Sequence, residues 1–409
     1  DTVDVEFDSG RREPVRILGI DTPEKAQYDQ YELTHEWEGI ESNTYLEDWG
    51  ANATDYAKNR LSGETIRLSF DDEEPGIFDE FGRLLSYIHY DDTNDGTRST
   101  FYNRSIIEDG YARIYSSGFS NHESFWDAEA TAQSNLRGVW ERSDPADSPE
   151  FRNRDVDDLF FPNTASVRTS TGAIDRSRVP VEAGSAASQS GGSVSYSGDI
   201  PLVGVDEDAS IAMVSSPVID ESYEKNEGFA VDTSGFENFV FITNLLDYLT
   251  EVDGQVLIDG GHGQFTADYA LSSEDAAYYQ RYLEGVDIAF EQVNTLSSDN
   301  LSRGRTLVVT SPPDALTSTE KDNIAAFRDN GGSVILVGSS QATATARGNL
   351  NNLAGALGSD LRLNGGEVTD GTNNVNGDET IPTTTVFDTS YPFFDAYGSG
   401  SGGTGSITV

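Results

Sequence analysis

With 409 residues, the chain is longer than one hydrophobic core normally organises, and its 36% hydrophobic residues exclude wholesale disorder. The absence of cysteine excludes disulfides, cysteine-ligated zinc and a thiol nucleophile, and no apolar run reaches the roughly 18–20 residues of a membrane span. The 71 acidic residues against 26 basic ones give a formal charge of −45, which is the most unusual bulk property of the chain.

The acidic residues are spread along the whole sequence, whereas an acidic interaction tail would concentrate them in one block. Only four of the basic residues are lysines: Lys25, Lys58, Lys225 and Lys321. This composition resembles that of proteins from salt-in halophiles such as haloarchaea. In molar salt the Debye length is about 3 Å, so repulsion among the acidic groups is screened. We therefore expect a halophilic protein.

Residues 1–142 alternate short strand-like runs with two helical segments. Residues 2–7 alternate apolar and polar side chains, a turn follows at 8–10, and residues 15–20 predict a second strand. Further strands are predicted at 65–70 and 84–90, and helices at 51–61 and 124–136, the second closed by Gly138. This pattern is typical of a small five-stranded OB-fold β-barrel with helices, which is the fold that we predict here.

The composition changes after this domain. Residues 143–199 combine a stretch rich in proline and charge with a segment at 183–198 that is nearly all Ala, Gly, Ser and Gln, and they predict a linker. Residues 200–409 have an α/β pattern. Apolar runs at 211–214, 256–258, 306–310 and 333–337 predict buried parallel strands, separated by helices at 236–249, 274–283 and 317–330. The last helix begins with a capping box of Thr317 and Glu320.

Three carboxylates of the first domain are candidates for a common site. Asp21 and Glu24 lie at the end of a predicted strand, where Pro23 forces an extended turn that lets both side chains converge. Asp1 begins the strand expected to pair with it and adds a further oxygen ligand. Carboxylates and a backbone carbonyl suit calcium or magnesium rather than a transition metal.

Two arginines accompany these carboxylates. Arg16 alternates with the apolar residues of the second strand, so its side chain points to one face. Arg83 follows Gly82 in a turn that leads into the strand at 84–90. A lone arginine–aspartate pair is usually an ordinary surface ion pair, but two guanidinium groups beside a carboxylate-bound metal form a clamp for a phosphoryl group.

Six short segments occur in an order that resembles the staphylococcal-nuclease (thermonuclease-like) family over almost all of residues 1–140. They are DTV at 1–3, RILGIDTPE at 16–24, DEFGRLL at 79–85, GYARIY at 110–115, EATA at 129–132 and RGVW at 137–140. The family usually opens with Asp-Gly-Asp-Thr, of which only Asp1-Thr2 is present, so we expect a preceding strand outside this fragment. Where the staphylococcal enzyme has Lys-Tyr before Gly-Arg, this chain has Glu80-Phe81, which removes one cation and one hydroxyl.

The resemblance implies a calcium-dependent nuclease that cleaves DNA or RNA and leaves 5′-hydroxyl and 3′-phosphate ends. Calcium would be bound by the carboxylates of Asp1 and Asp21 and by the backbone carbonyl of Thr22. Glu24 would orient or deprotonate the attacking water. These roles follow from matching positions in the family's motif.

The same resemblance implies that Arg16 and Arg83 bridge the scissile phosphate, and that Phe81, Tyr111 and Tyr115 contact the substrate. We therefore expect a nuclease that is extracellular or attached to the cell surface. The alternative is a non-catalytic nucleic-acid- or surface-binding protein that retains the barrel. The joint presence of both arginines and Glu24 favours the enzyme, since binding alone does not require that set.

The second half of the chain contains a series of segments at 306–310, 311–313, 316–320, 327–332 and 335–338. In this series, residues from about 200 to 390 resemble the class I glutamine-amidotransferase-like fold, so we predict a flavodoxin- or amidotransferase-like sheet there. That fold hydrolyses glutamine with a cysteine, which this chain lacks, and His262 is the only histidine in this half. The glycine-rich turn at 259–263 fits neither the GxGxxG pattern nor a P-loop. We predict a non-catalytic accessory domain.

Overall fold

The computed structural model of the chain divides into two compact units, Asp1–Pro149 and Glu150–Val409. It describes residues 1–398 apart from 32–36, 41, 75, 80, 116–118, 145–152, 220–234, 272–274, 277–278, 281, 284–285 and 287. Among these described residues, no helix has both the length and the apolar character needed to cross a membrane.

The first unit is built on a five-stranded sheet. The described strands of this unit, including two outside that sheet, are β1 (Thr2–Glu6), β2 (Arg12–Ile17), β3 (Ile20–Asp21), β4 (Arg67–Ser69), β5 (Leu84–Tyr90), β6 (Thr100–Phe101) and β7 (Arg113–Ile114). Its helices are α1 (Asn43–Leu61), α2 (Tyr102–Glu108) and α3 (His122–Ser134). The sheet has the order β1-β2-β5-β4 with β6 added to β5, while β3 and β7 form a separate pair. This is the OB-fold-like domain that the sequence predicts.

Local chemistry explains where these elements begin and end. The strand predicted at 84–90 is confirmed as β5. Helix α1 begins eight residues before its predicted start because the Ser42 hydroxyl caps it, accepting a hydrogen bond from Tyr45 N. The strand predicted at 15–20 instead turns at Gly19, where φ is +75° and a Cβ would lie 2.7 Å from Phe125 and 2.8 Å from Phe119. Asp21 is thereby placed on the short strand β3.

Buried tryptophans hold the helices of this unit together. The rings of Trp37 and Trp140 lie with centroids 5.6 Å apart, and they pack with Leu46 of α1 and Ala132 of α3. Burial of each large apolar side chain contributes about 1.5–3 kcal/mol relative to exposure. The cluster therefore joins α1 and α3 to the 3₁₀ turn at Gly138–Arg142.

The second unit is a mixed α/β domain. Its strands are β8 (Leu159–Phe160), β9 (Val167–Thr169), β10 (Val181–Ala183), β11 (Ser188–Ser190), β12 (Ile200–Asp206), β13 (Ile211–Val214), β14 (Gln255–Asp259), β15 (Phe290–Val293), β16 (Gly304–Thr310), β17 (Ser333–Val337), β18 (Leu361–Leu363), β19 (Glu367–Thr369), β20 (Thr383–Thr384) and β21 (Val386–Phe387). Its helices are α4 (Asn238–Leu249), α5 (Ser298–Leu301), α6 (Ser318–Asp329) and α7 (Ala344–Ala356). The main sheet has the order β15-β14-β16-β17-β13-β12-β10-β21.

The predicted parallel strands of this unit are confirmed, since β15, β14, β16, β17 and β13 are parallel neighbours. The predicted capping box of Thr317 and Glu320 is also present at the start of α6. On one side the sheet continues with antiparallel β12, β10 and β21. Six residues of the helix predicted at 274–283 are described, and all six (275–276, 279–280 and 282–283) are helical. The flavodoxin- or amidotransferase-like assignment stays a prediction.

The linker predicted at 143–199 does not hold for residues 153–199, which belong to the second unit and contain β8 to β11. Strand β10 joins the main sheet with Val181 and Ala183 buried, and β11 pairs with β19. The polar segment at 183–198 is held by hydrogen bonds rather than by apolar burial; for example, Asn364 Oδ1 accepts one from Ser193 N at 2.9 Å. A composition poor in apolar residues indicates that few side chains are buried, but it does not exclude strands that are stabilised by hydrogen bonds to neighbouring segments.

Candidate active site

The guanidinium group of Arg16 contacts two carboxylates, Asp1 just before β1 and Asp21 on β3. The antiparallel register of β1 and β2 pairs Thr2 with Arg16, which brings Asp1 beside Arg16. Arg16 Nη1 lies 3.3 Å from Asp1 Oδ2, and Arg16 Nη2 lies 4.0 Å from Asp21 Oδ1. Arg16 Nη1 also donates to the carbonyl oxygen of Ile20 at 2.7 Å. With 12% of its side chain exposed, Arg16 is held in place by these charge-assisted contacts.

The second predicted arginine, Arg83, is connected to the Asp1 carboxylate through the hydroxyl group of Thr2. Asp79 Oδ2 accepts a hydrogen bond from Arg83 Nε at 2.6 Å. Arg83 Nη1 donates to Thr2 Oγ1 at 3.1 Å, and the Thr2 hydroxyl donates to Asp1 Oδ1 at 3.1 Å. A continuous polar network therefore runs from Arg83 through Thr2 and Asp1 to Arg16.

A third arginine, Arg113, belongs to this cluster and was not predicted. Its Nε lies 3.2 Å from Asp21 Oδ2, because β7 pairs with β3 in a register that places Arg113 opposite Asp21. The two residues are 92 positions apart, so no local sequence pattern signals their contact. Asp21 thus has the guanidinium groups of Arg16 and Arg113 as neighbours.

Glu24 is a half-buried carboxyl in the loop after β3. Burial, followed by the negative charge of Asp21, raises the pKa of Glu24, while nearby positive groups act in the opposite direction. Helix α1 supports this loop from behind. A Cβ added at Gly50 would lie 2.5 Å from the carbonyl oxygen of Pro23 and 2.6 Å from that of Glu24. The backbone of the loop therefore contacts α1 directly at Gly50, where no larger residue fits without a shift of the backbone.

A cavity of about 1540 Å³ opens beside these groups. Asp1, Thr22, Glu24 and Arg83 line part of its wall, whereas Arg16 and Asp21 do not. The structure therefore gathers the predicted polar residues into one cluster but presents only some of them to the cavity. Of the three residues predicted to be catalytic, Glu24 and Arg83 line the cavity and Arg16 does not.

The three aromatic residues predicted to contact substrate lie in different surroundings. Phe81 is 75% exposed, and its ring centroid lies 5.4 Å from the guanidinium carbon of Arg83. Tyr115 is half-buried, with its ring 5.2 Å from the guanidinium carbon of Arg16. Tyr111 instead packs against Trp49 and Tyr56, at centroid distances of 5.4 and 4.4 Å. Because it fills this aromatic cluster, Tyr111 has a packing role that the motif match alone does not show.

The chemistry of the predicted metal ligands fits a hard cation. Asp1 and Asp21 share Arg16 as a neighbour and offer carboxylate oxygens, and Thr22 lies on the cavity wall with Asp1. Oxygen donors of this kind suit calcium. Within the described part of the chain, no three or more Asp, Glu, His or Cys side chains are grouped so as to hold a metal ion. The predicted ligands are thus of a type that suits calcium, and two of them, Asp1 and Asp21, are carboxylates.

The second unit has its own buried charged cluster, at the end of β14. His262 Nδ1 lies 2.9 Å from Asp259 Oδ2, and His262 Nε2 lies 3.3 Å from Glu320 Oε1. Burial opposes the positive charge of His262, but the hydrogen bond to Asp259 and the charges of both carboxylates outweigh it and raise the pKa to about 9. Both ring nitrogens are engaged, so His262 acts as an ion-pair partner of two carboxylates rather than as a free base.

Comparisons with known proteins address the first unit. The family model described as staphylococcal nuclease homologue matches residues 14–142. A stretch of 144 residues, 34% of this chain, is 35% identical to an uncharacterized protein of Methanocaldococcus jannaschii and covers 66% of it. A stretch of 142 residues is 26% identical to the thermonuclease of Staphylococcus hyicus; it covers 34% of this chain and 69% of that protein. The chain thus spans about two thirds of these relatives.

Among solved structures, the IMPa metallopeptidase from Pseudomonas aeruginosa aligns with 53% of this chain and 21% of that chain. The sequence identity is 12% and the TM-score is 0.30, a similarity too low to support an inference.

Proposed function

We propose that the first unit, whose residues 14–142 form a staphylococcal-nuclease-like segment, hydrolyses the phosphodiester bonds of DNA or RNA. The observation that carries this proposal is the polar network from Arg83 through Thr2 and Asp1 to Arg16, beside the half-buried Glu24. Negative charge grows on the phosphate oxygens during hydrolysis, so the reaction needs fixed cations and a base at one place.

The two arginines are proposed to position the phosphate and stabilise its charge. Arg83 lines the cavity and is held by Asp79, while Arg16 is held between Asp1 and Asp21. The planar guanidinium group matches a pair of phosphate oxygens. Because carboxylates already orient both groups, little reorganisation is needed when charge develops on the phosphate.

Glu24 is proposed to accept a proton from the attacking water. A general base is most effective when its pKa lies near the working pH, and the burial of Glu24 moves its pKa upward in that direction. The water oxygen bonds to phosphorus while the bond from phosphorus to the 5′ oxygen breaks. That oxygen takes up a proton from solvent and Glu24 releases its proton to solvent, which gives the 5′-hydroxyl and 3′-phosphate ends and restores the base.

Calcium is the proposed cofactor, held by Asp1 and Asp21 through their carboxylates and by Thr22 through its carbonyl oxygen. When bound, such a cation supplies positive charge that polarises the phosphate. Excess chelator is expected to abolish cleavage of a labelled DNA strand, and added calcium is expected to restore it. Cleavage at an unchanged rate in chelator would remove calcium from the mechanism.

High salt and an extracellular or cell-surface location are proposed as the working conditions of the enzyme. Residues 1–140 contain 12 basic and 30 acidic side chains, and this balance repels nucleic acid in dilute buffer. In molar salt the Debye length falls to about 3 Å, so this long-range repulsion is screened. The direct contacts of Arg83 with Asp79 at 2.6 Å and with Thr2 at 3.1 Å are short enough to persist.

Replacement of Glu24 by Gln tests the proposed reaction. The variant keeps the shape of the side chain but removes the base, so kcat should fall by about 10²–10⁴. Glu141→Gln is the matched control, because Glu141 is exposed on the 3₁₀ turn at Gly138–Arg142 and should leave kcat unchanged. Tryptophan fluorescence would show that both variants fold. A Glu24→Gln enzyme with the wild-type kcat would contradict the mechanism.

A further inference from the structure

Two arginines of the second unit lie opposite each other on neighbouring strands. The antiparallel register of β9 and β18 pairs Arg168 with Arg362. Side chains directly opposite each other in such a pair have Cβ atoms about 5 Å apart, and like charges in these positions are destabilising. Val167, Leu361 and Leu363 alternate with the two arginines and are buried in the core. Both arginines therefore lie on the outer face of the strand pair, where each is half-buried.

Neither arginine forms an ion pair with a carboxylate of the described residues, although carboxylates are abundant in this unit. Residues 150–409 contain 38 acidic and 13 basic side chains. Burial, followed by the positive charge of Arg168, lowers the pKa of Arg362, and the opposing charge of Asp360 does not cancel these effects. Asp360 is itself held by another arginine, since its Oδ1 lies 2.8 Å from Arg178 Nη1. By contrast, six other arginines of the unit are paired with carboxylates: Arg154, Arg176, Arg178, Arg303, Arg305 and Arg328.

Backbone carbonyl groups hold both guanidinium groups through their Nη1 atoms. Arg168 Nη1 donates to Thr169 O at 2.7 Å, while Arg362 Nη1 donates to Ser359 O at 2.9 Å and to Leu361 O at 2.6 Å. The Nε and Nη2 atoms of the two arginines have no acceptor among the residues that the structure describes, and Arg168 Nε is buried. Buried donors are normally paired with an acceptor, so this atom lacks a partner that a bound anion would supply.

We propose that Arg168 and Arg362 bind a dianionic phosphate group on the outer face of the β9–β18 pair. The two guanidinium groups carry two positive charges, and a phosphate monoester carries a charge of about −1.5 to −2 at neutral pH. A carboxylate or a phosphodiester carries only one negative charge and leaves the repulsion partly uncompensated. The planar guanidinium fork also matches two oxygens of one phosphate. Free inorganic phosphate and the phosphate at the end of a nucleotide share this chemistry, and the inference does not depend on the proposed nuclease function.

Helix α7 supplies both a geometric variant and a charge control for this site. A Cβ added at Gly355 would lie 2.8 Å from Arg362 Nη2 and 3.5 Å from its guanidinium carbon. Gly355→Ala should therefore displace the guanidinium group of Arg362 and leave its charge unchanged. Arg347 is also half-buried and forms no ion pair with any described carboxylate, but its guanidinium carbon lies 3.4 Å from the Cβ position of Gly365. It precedes Gly355 by eight residues, about 12 Å along the helix.

Hydrogen exchange of the peptides that contain β9 and β18 tests the proposal on the full chain. Potassium phosphate, thymidine 3′-monophosphate and potassium acetate are titrated separately in molar potassium chloride at constant ionic strength. Phosphate should slow exchange of these peptides in the wild type. Arg168→Gln and Arg362→Gln should each raise the apparent Kd by roughly 10- to 100-fold, the effect of losing hydrogen bonds to a charged group. Gly355→Ala should also raise it, whereas Arg347→Gln should leave it unchanged.

The readout is local to the second unit, so phosphate bound by Arg83 in the first unit does not contribute to it. Exchange of β14 in the absence of phosphate would show that the variants fold. A lower Kd for thymidine 3′-monophosphate than for inorganic phosphate would support the site with a nucleotide end as its ligand, and the reverse order would support it with the free ion. Three results would overturn the proposal: an equal effect of acetate, an unchanged phosphate effect in the double variant Arg168→Gln with Arg362→Gln, or no effect of any anion on the wild type.

Discussion

Gly50 is predicted to position Glu24 by allowing α1 to contact the loop that follows β3. The Cβ of an alanine at this position would lie 2.5 Å from the Pro23 carbonyl oxygen and 2.6 Å from the Glu24 carbonyl oxygen. Ordinary contacts begin near 3.4 Å, so helix and loop must separate by about 0.9 Å. The atoms in the way belong to the backbone and cannot rotate aside as a flexible side chain can.

Gly50→Ala should therefore lower kcat with little loss of stability. A displacement of about 1 Å at a reacting group costs about 100-fold in rate. Alanine is preferred to glycine inside a helix by about 1 kcal/mol, which offsets part of the strain between α1 and the loop. The expected result is a folded protein whose kcat on single-stranded DNA is reduced by about two orders of magnitude.

Two measurements distinguish this positioning role from a general loss of folding. All four tryptophans, at positions 37, 49, 126 and 140, lie in the first unit, so their fluorescence reports its unfolding in urea. Because burial raises the pKa of Glu24, a loop that moves outward should shift the acid limb of the pH–kcat profile to lower pH. Asn52→Ala is the control, since it also replaces a weaker helix former in α1 but lies on the exposed face. A Gly50→Ala enzyme with the wild-type kcat and pH profile would refute the reasoning.

Two further predictions concern pH and stability. Burial raises the pKa of Glu129 to about 7, so the first unit should lose about 2–3 kcal/mol of unfolding free energy between pH 5 and pH 8. Urea titrations followed by tryptophan fluorescence should show this loss in the wild type and not in Glu129→Gln; equal losses would contradict it. The pKa of His262 is raised to about 9, so its stabilising effect is complete below its ordinary pKa and is lost as pH rises through 9. Hydrogen exchange of β14 should accelerate between pH 7 and pH 10, beyond the intrinsic effect of pH, in the wild type but not in His262→Gln, and an identical response in both proteins would exclude this role.

The elements that could be predicted from the sequence are those with strong local signals. The strands Leu84–Tyr90, Ile211–Val214 and Ser333–Val337 are continuous apolar or alternating runs, and their predicted bounds agree with the structure. The motif around residues 16–24 predicted that Arg16, Asp21 and Asp1 belong to one site. The structure brings them together, with Arg16 in ion-pair contact with both carboxylates, a pairing that the motif did not predict.

Other features depend on contacts that no local pattern carries. The pairing of Arg113 with Asp21 depends on the register of β3 and β7. The role of Gly50 depends on how closely α1 approaches a loop more than 25 residues earlier, and a glycine inside a helix does not identify its contact. The Ser188–Ser190 strand has little hydrophobic content, so composition indicated a linker where partner strand β19 supplies the hydrogen bonds. Glu80, whose substitution distinguishes this chain from the staphylococcal enzyme, lies outside the described residues.

The ion pairs around the site bear on how an acidic unit would hold the proposed polyanionic substrate. Arg16, Arg83 and Arg113 each face a carboxylate, so at a distance each pair is nearly neutral and attracts a phosphate weakly. When a phosphate contacts these arginines, the same carboxylates favour binding, because they already orient the guanidinium N–H groups before the substrate arrives. Recognition of the proposed substrate would then depend on short-range geometry rather than on electrostatic steering. Salt that screens the charge of −45 therefore weakens the repulsion of substrate more than it weakens these contacts.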